Sequence, residues 1–176
     1  MSYHLGLDVG ATNTRCLVVD DDRHPVEHYT QATPQQTTAE GLAESIGSAV
    51  DTTLSASGLD PSDIDTVGIA SFGPLDTEAG TITETPNLEN DLSGVPLLET
   101  VAQRFPDDIP TTLLNDAVAG VVTEYELGDD NANVVYLTLS SGIGAGVVVD
   151  RSLLKGRDGN AAEVCHFTLQ PDSSQR

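Results

Sequence analysis

Two short turns of small residues carry the residue types that could bind a phosphate group. The first lies in LGLDVGATNTRCLVV and contains Asp8, Gly10, Thr12 and Asn13. The second lies in VYLTLSSGIGAGVVV and contains Ser141, Gly142 and Gly144. Because no bulky side chain blocks such turns, their backbone N–H groups can converge on an anion without much help from basic residues. The repetition predicts two hairpins that clamp a polyphosphate from opposite sides.

The first turn also has a carboxylate, which suggests a metal. Asp8 could hold Mg²⁺ through water while Thr12 and Asn13 donate hydrogen bonds to phosphate oxygens. The alternative is an ordinary β-hairpin with hydrogen-bonding Asn and Asp side chains. Neither turn is a P-loop of the Walker type, since the Lys-Ser or Lys-Thr ending is absent.

A third candidate is the pair Asn115-Asp116, where the predicted strand TTLLN meets the helix DAVAGVVTEYEL. An Asp at this junction could act as general base or orient an attacking hydroxyl. The alternative is an N-cap, a role that Asp and Asn favour, and the two roles do not exclude each other. Glu163 and His166 flank a further predicted strand, where a lone Glu or His is more typical of surface or core.

The elements around these residues follow from periodicity. YHLGLDV, TRCLVVD and VEHYTQA predict an antiparallel meander. Apolar residues at every fourth position predict a helix in TTAEGLAESIGSAVDTTLSAS. A strand IDTVGIAS, a small hairpin in FGPLDTEAGTIT and a helix over 96–105 should follow. NVVYLTLS, GAGVVVD and EVCHFTLQ predict more antiparallel strands, in a second unit that opens near residue 117.

Composition restricts the class of protein. The 176 residues carry a formal charge of −21, from 28 acidic residues against seven Lys and Arg, which argues against nucleic acid and anionic membranes as partners. No apolar run approaches the roughly 20 residues of a membrane helix, so we expect a soluble cytoplasmic protein. The scattered acids suit a surface adapted to high salt. The two cysteines, Cys16 and Cys165, indicate no disulfide framework.

Five blocks taken together resemble the ROK family of sugar kinases, with archaeal glucokinase-like members nearest in character. In chain order they are LGLDVGATNTR, SFGPLDTEAGTIT with TPNL, LLNDAVAG, LTLSSGIGAGVVVDRSLLKG and AAEVCHFTLQPD. The resemblance implies an α/β fold of the actin-like ATPase (ribonuclease H-like) type, in which two domains close over a cleft. Residues 1–116 would form the N-terminal domain, and 117–176 the first part of the second.

The resemblance also implies roles. ATP, with Mg²⁺, would phosphorylate a hexose, and Asp116 would be the catalytic base. The sugar pocket would include Gly73, Asn87, Asn115, Glu163 and His166. The first phosphate loop would contain Asp8, Gly10, Thr12 and Asn13, and the second would contain Ser141, Gly142 and Gly144.

The sequence departs from the family pattern at several points. Ala11 replaces a Gly of the first loop, Ser141 a Thr of the second, and Cys165 the Gly of a GEIGH-like block. In the family, the residue matching His166 also binds zinc with three cysteines of a later stretch, and PDSSQR ends where that stretch would begin. We therefore expect no structural zinc here. We also expect a truncated chain without full activity, with exposed apolar surface or an unpaired sheet edge.

Two other functions stay open. The same family includes sugar-sensing repressors with a helix-turn-helix ahead of the kinase-like part, but no basic extension precedes the first strand here. A non-sugar ATPase of the actin-like superfamily is the second alternative, and the NDA and EVCH blocks favour a sugar kinase over it. By resemblance we expect a homo-oligomer.

Overall fold

The computed structural model describes residues 2–85, 88–128, 132–139 and 142–155. The chain divides into two compact units, Met1–Asp116 and Ala117–Arg176. The strands of the first unit are β1 (Tyr3–Val9), β2 (Asn13–Asp20), β3 (Pro25–Ala32), β4 (Ile64–Ser71), β5 (Leu75–Asp76), β6 (Thr81–Ile82) and β7 (Thr111–Asn115). Its helices are α1 (Ala39–Ser57) and α2 (Leu97–Ala102).

One five-stranded sheet organises the first unit, in the order β3-β2-β1-β4-β7. The first three strands form the predicted antiparallel meander. β1, β4 and β7 run parallel to one another, joined by crossovers that contain α1 and α2. β5 and β6 form the small hairpin expected after β4.

The sheet has one face that belongs to the core. Leu5, Leu7 and Val9 of β1 are buried, whereas Gly6 between them is exposed. The same alternation recurs in β2 and β4, as the two-residue period of a strand requires. The buried side packs with the apolar face of α1, formed by Leu42, Ile46, Val50 and Leu54.

Cys16 of β2 belongs to this core and is 1% exposed. Burial is the main influence on its thiol and raises its pKa, while a hydrogen bond with Thr53 acts in the opposite direction. A thiol that resists ionisation is a poor nucleophile, so Cys16 serves as a small core residue.

The two helices of the first unit end differently. Thr38 caps α1, its hydroxyl accepting a hydrogen bond from the N–H of Gly41, and Gly58 ends the helix with φ of 72°. α2 is shorter than the predicted 96–105 because its last turn tightens. The N–H groups of Arg104 and Phe105 bond to carbonyls three residues back, not four.

The second unit contains α3, which begins at the junction (Asp116–Leu127), β8 (Val134–Leu139), β9 (Ile143–Val149) and β10 (Ser152–Leu153). The three strands form an antiparallel sheet in the order β10-β9-β8. β8 and β9 confirm the predicted hairpin, and β10 was not predicted. The predicted strand at 163–170 lies outside the described residues.

One face of β8 is apolar and exposed. Val135, Leu137 and Leu139 are 64%, 57% and 77% exposed. They alternate along the strand, so they lie on one side of the sheet. Such a contiguous apolar surface favours association, while the net charge of −21 opposes it at low ionic strength.

We therefore expect the chain to self-associate in about 1 M KCl, where charge repulsion is screened. The double variant Leu137→Asn/Leu139→Asn should shift it toward monomer in size-exclusion chromatography with light scattering. Leu127→Asn, which changes an equally exposed apolar residue of α3, is the matched control and should have no such effect. A stable wild-type monomer under these conditions would contradict the prediction.

Candidate functional site

The ends of three parallel strands bring predicted site residues to one edge of the sheet. Val9 of β1 is in register with Ser71 of β4, and Ser71 with Asn115 of β7. The residues that follow these three are the first turn, the Phe72-Gly73 pair and Asp116. Ligands in open α/β sheets bind outside the carboxyl ends of the strands, so this edge is the candidate site.

The first turn is a tight connection between β1 and β2. The N–H of Gly10 donates to the carbonyl oxygen of Asn13 at 3.0 Å. A β-carbon at Gly10 would lie 2.9 Å from that same oxygen, closer than real contacts allow. Gly10 is therefore required by the backbone, and Thr12 is exposed at the tip.

Asp8 forms an ion pair that the sequence analysis did not foresee. The Arg15 guanidinium donates to Asp8 Oδ2 at 2.9 Å, and the two residues are directly opposite in the β1–β2 register. The side chain of Asp8 is 46% exposed and that of Arg15 57%, so the pair contributes little to stability. The sequence spacing could have indicated this pair, because positions 8 and 15 are symmetric about the turn and therefore lie opposite each other in a hairpin.

Gly73 and Asn115, both predicted to bind sugar, contact each other. Asn115 Nδ2 donates to the carbonyl oxygen of Gly73 at 3.4 Å. Gly73 has φ of 80°, and a β-carbon there would lie 2.8 Å from the Glu84 carbonyl oxygen. The N–H of Phe72 donates to the carbonyl oxygen of Val9 at 3.0 Å, and this bond connects the Phe72-Gly73 segment to the end of β1.

Asp116 is the first residue of α3 and is half-buried. An acidic residue in the first turn of a helix is stabilised by the unpaired N–H groups at that end. Since the helix begins at Asp116, the flanking position before it belongs to Asn115. The N-cap position, weighed above as an alternative for Asp116, thus belongs to Asn115, and Asp116 lies one position inside the helix.

The second turn lies in the other unit and is described separately. Gly142 is exposed, and apart from its chain neighbours no atom of the described residues lies within 4 Å of where its β-carbon would be. Gly144 packs closely, because a β-carbon there would lie 3.1 Å from the Ala117 methyl group and 2.9 Å from Thr138 Cγ2. Gly144 therefore serves helix packing, whatever else it does.

Four predicted site residues lie outside the described part of the chain: Asn87, Ser141, Glu163 and His166. Among the residues that the structure describes, no group of three or more His, Cys, Asp or Glu side chains could hold a metal ion. Within the same residues, no helix is long and apolar enough to cross a membrane. Thr33 and Gln35 were not predicted from the sequence, and their side chains bond to the first turn from more than twenty residues downstream.

Comparison with known proteins gives a consistent result. A protein-family sequence model described as "ROK family" matches residues 4–175. The glucokinase of Pyrobaculum calidifontis is 35% identical over 176 residues, covering 100% of this chain and 53% of that protein. The chain therefore spans about half the length of this curated relative.

Solved structures agree with this result. A ROK family glucokinase from Streptomyces griseus, in complex with glucose and AMPPNP, is 32% identical with a TM-score of 0.78. The match covers 97% of this chain and 52% of that one. A ROK family transcriptional regulator, a homologue of the E. coli MLC protein, has a TM-score of 0.81 at 19% identity. The match covers 97% of this chain and 42% of the regulator, and an identity of 19% supports a similarity of fold alone.

The geometry at Gly73 yields a prediction about stability. Gly73→Ala should lower the free energy of unfolding more than Gly94→Ala does, as measured by urea denaturation. Both positions have positive φ, 80° and 68°, so both substitutions incur the left-handed penalty of about 1–2 kcal/mol. Only at Gly73 does the new methyl group also meet a backbone oxygen. Equal losses of stability in the two variants would contradict this account.

Proposed function

The chain belongs to the ROK family and has the actin-like ATPase fold, and from this premise we propose that its protein transfers a phosphoryl group from ATP to a hexose hydroxyl. The observation that carries the proposal is the row formed by Val9, Ser71 and Asn115. This row brings the first turn, the Phe72-Gly73 pair and Asp116 to one edge of the five-stranded sheet. Glucose is the first candidate substrate, since the similar Streptomyces griseus enzyme has glucose bound.

Asp116 is the proposed general base. It lies immediately after β7, half-buried at the start of a helix, where a carboxylate is stabilised and stays within reach of the edge. The carboxylate would accept the proton of the sugar hydroxyl as that oxygen attacks the γ-phosphorus in line, and the bond from this phosphorus to the β–γ bridging oxygen would break to release ADP. Positioning and electrostatic stabilisation are what phosphoryl transfer chiefly requires of a protein, because the transition state is loose and its charge is spread over the oxygens of the transferred phosphoryl group.

Asn115 and Gly73 are the proposed start of the sugar pocket. Their hydrogen bond fixes the Asn115 side chain beside Asp116, and an amide suits recognition of sugar hydroxyls because it offers both donors and an acceptor. Asn87, Glu163 and His166 are proposed for the same pocket on family resemblance. A zinc role for His166 would require cysteine ligands absent from this sequence, which has only Cys16 and Cys165.

The phosphates of ATP are assigned to the two turns. Gly10, Thr12 and Asn13 would contact them in the first unit, and Ser141, Gly142 and Gly144 in the second. Mg²⁺ takes one or two carboxylates and keeps several waters, so the single carboxylate of Asp8 fits a water-mediated contact. When bound, the ion would neutralise charge that develops on the phosphate oxygens.

A sugar-sensing regulator is the second candidate. The regulator among the structural neighbours supports it by fold. The kinase is favoured because the 35% and 32% identities are to glucokinases. The same two identities favour the kinase over a non-sugar ATPase of the same fold. We further propose a soluble, cytoplasmic and homo-oligomeric enzyme that binds no nucleic acid and no membrane, in line with the uniform acidity of the chain.

Asp116→Asn tests the catalytic assignment, in the polypeptide encoded by the complete reading frame that contains this sequence. ADP release would be measured with glucose, N-acetylmannosamine, N-acetylglucosamine and fructose. The variant keeps the side-chain volume and loses the base, so turnover should fall by about 10²- to 10⁴-fold while nucleotide binding is kept. Asp107→Asn, at an exposed Asp before β7, is the control and should keep wild-type turnover.

Two results would remove these assignments. Wild-type protein that turns over none of the four sugars would reject the kinase. Asp116→Asn that keeps more than a small fraction of wild-type turnover would reject Asp116 as base and leave the kinase in place.

We also propose that the acidic surface is an adaptation to high salt. With 28 acidic residues against seven Lys and Arg, self-repulsion should destabilise the folded chain at low ionic strength. The melting temperature should therefore rise steadily from about 0.1 M to about 2 M KCl as screening shortens the range of repulsion. A melting temperature that is constant or falls over this range would contradict the proposal.

A further inference from the structure

The carbonyl groups of the first turn all point toward the protein. Four consecutive oxygens, from Gly10 to Asn13, accept hydrogen bonds, the first three from residues that follow β3 and the fourth from within the turn. Thr33 Oγ1 donates to the Gly10 oxygen at 2.7 Å, and the Thr33 N–H donates to the Thr12 oxygen at 2.9 Å. Gln35 Nε2 donates to the Ala11 oxygen at 2.7 Å. The fourth oxygen, of Asn13, is bonded by the N–H of Gly10.

The hydrogen bonds to these carbonyl oxygens also fix the direction of the N–H groups in the same peptide units. In a trans peptide, the carbonyl oxygen and the following N–H point in opposite directions from one plane. The bond from Thr33 to the Gly10 oxygen therefore aims the Ala11 N–H away from Thr33. The bond from Gln35 to the Ala11 oxygen likewise aims the Thr12 N–H away from Gln35. Among the described residues, these two N–H groups have no acceptor.

Thr33 is itself fixed by a buried hydroxyl chain. Its Oγ1 lies 3.0 Å from Thr14 Oγ1, and the two residues are 2% and 0% exposed. A hydroxyl has one proton, and Thr33 uses it on the Gly10 carbonyl, which can only accept. Thr14 must then donate to Thr33, so the direction of the whole chain is set.

Gln35 is fixed in a similar way. Its Nε2 also donates to the Thr33 carbonyl oxygen at 3.0 Å, so both amide protons are used within the same small region. Together, Thr33 and Gln35 hold the two peptide planes that supply the Ala11 and Thr12 donors.

We propose that Thr33 and Gln35 are positioning residues of the phosphate-binding turn, which keep the Ala11 and Thr12 N–H groups aimed at the phosphate of a bound nucleotide. The inference rests on the proposed function. Rotation of either peptide plane would present a carbonyl oxygen to the anion and repel it. The Gly10–Ala11 plane needs restraint most, because glycine permits backbone angles that other residues do not. The preset N–H groups bind phosphate without a basic side chain, as this acidic chain requires.

The test is a titration of the ¹⁵N-labelled chain with magnesium tripolyphosphate, followed by the amide resonances of Ala11 and Thr12. This probe isolates the phosphate contacts from those of adenosine. In the wild type both resonances should shift saturably. Thr33→Val and Gln35→Met keep the shape and charge of the side chain and lose its donor, so each should weaken binding by about three- to tenfold.

Matched controls separate positioning from general damage. Gln31→Met removes a similar amide bond, from Gln31 Nε2 to the Ser45 carbonyl, at 2.7 Å. Thr53→Val removes a buried hydroxyl bond to Ala49 at 2.8 Å. Neither residue bonds to the turn, so both variants should bind as the wild type does. Thr33→Ser keeps the hydroxyl and should restore affinity to within about twofold of wild type, less than the loss of one hydrogen bond.

The outcomes are distinguishable. If the wild type shifts and Thr33→Val and Gln35→Met bind equally well, the positioning role is wrong and the phosphate site survives. Equal weakening by the Gln31 and Thr53 variants would also reject a specific role. If the wild-type resonances of Ala11 and Thr12 do not move, the phosphate assignment of this turn fails, and the inference fails with it.

Discussion

The parallel register of β1, β4 and β7 is the constraint on which the candidate site depends. A strand's side chains alternate between faces, so a slip of one residue would turn an entire apolar set away from the core. Val9, Ile69 and Leu113 are all at most 7% exposed, and their burial holds the three strands in their present register. Because that register aligns the strand ends, the same packing brings the first turn, Gly73 and Asp116 to one edge.

The acidity of the chain would give the backbone the larger part in the proposed binding of phosphate. Only seven basic residues are available, and the one opposite Asp8, Arg15, is already engaged by that carboxylate. Peptide dipoles carry no net charge, so they leave the charge of the chain unchanged, while their N–H ends create a local positive potential that can attract a phosphate. Their direction then matters as much as their presence. In the first turn that direction is set by hydrogen bonds from side chains beyond β3.

Glycines that suggest ligand approach also have packing roles here. Gly10 leaves room for the Asn13 oxygen, and Gly144 for the Ala117 methyl group. A packing role and a binding role are compatible, because a backbone without a side chain lets either neighbour come close. A glycine in a sequence motif does not by itself indicate which of the two roles it has. The contacts around its position in the structure show whether a packing role is present.

The sequence by itself determined the local structure. The meander, α1, β4, β7, α3 and the β8–β9 hairpin all follow from periodicity and turn residues, since these depend on near neighbours. It also predicted Asn115-Asp116 and the first turn as candidate site residues, which stay predictions. Only the tertiary structure decided which of these lie together, that Asp8 pairs with Arg15, and that Asn115 bonds to Gly73. The bonds from Thr33 and Gln35 to the first turn span more than twenty residues, and no local pattern encodes them. They exist because β3 pairs with β2 in one register, and that register is a property of the whole sheet.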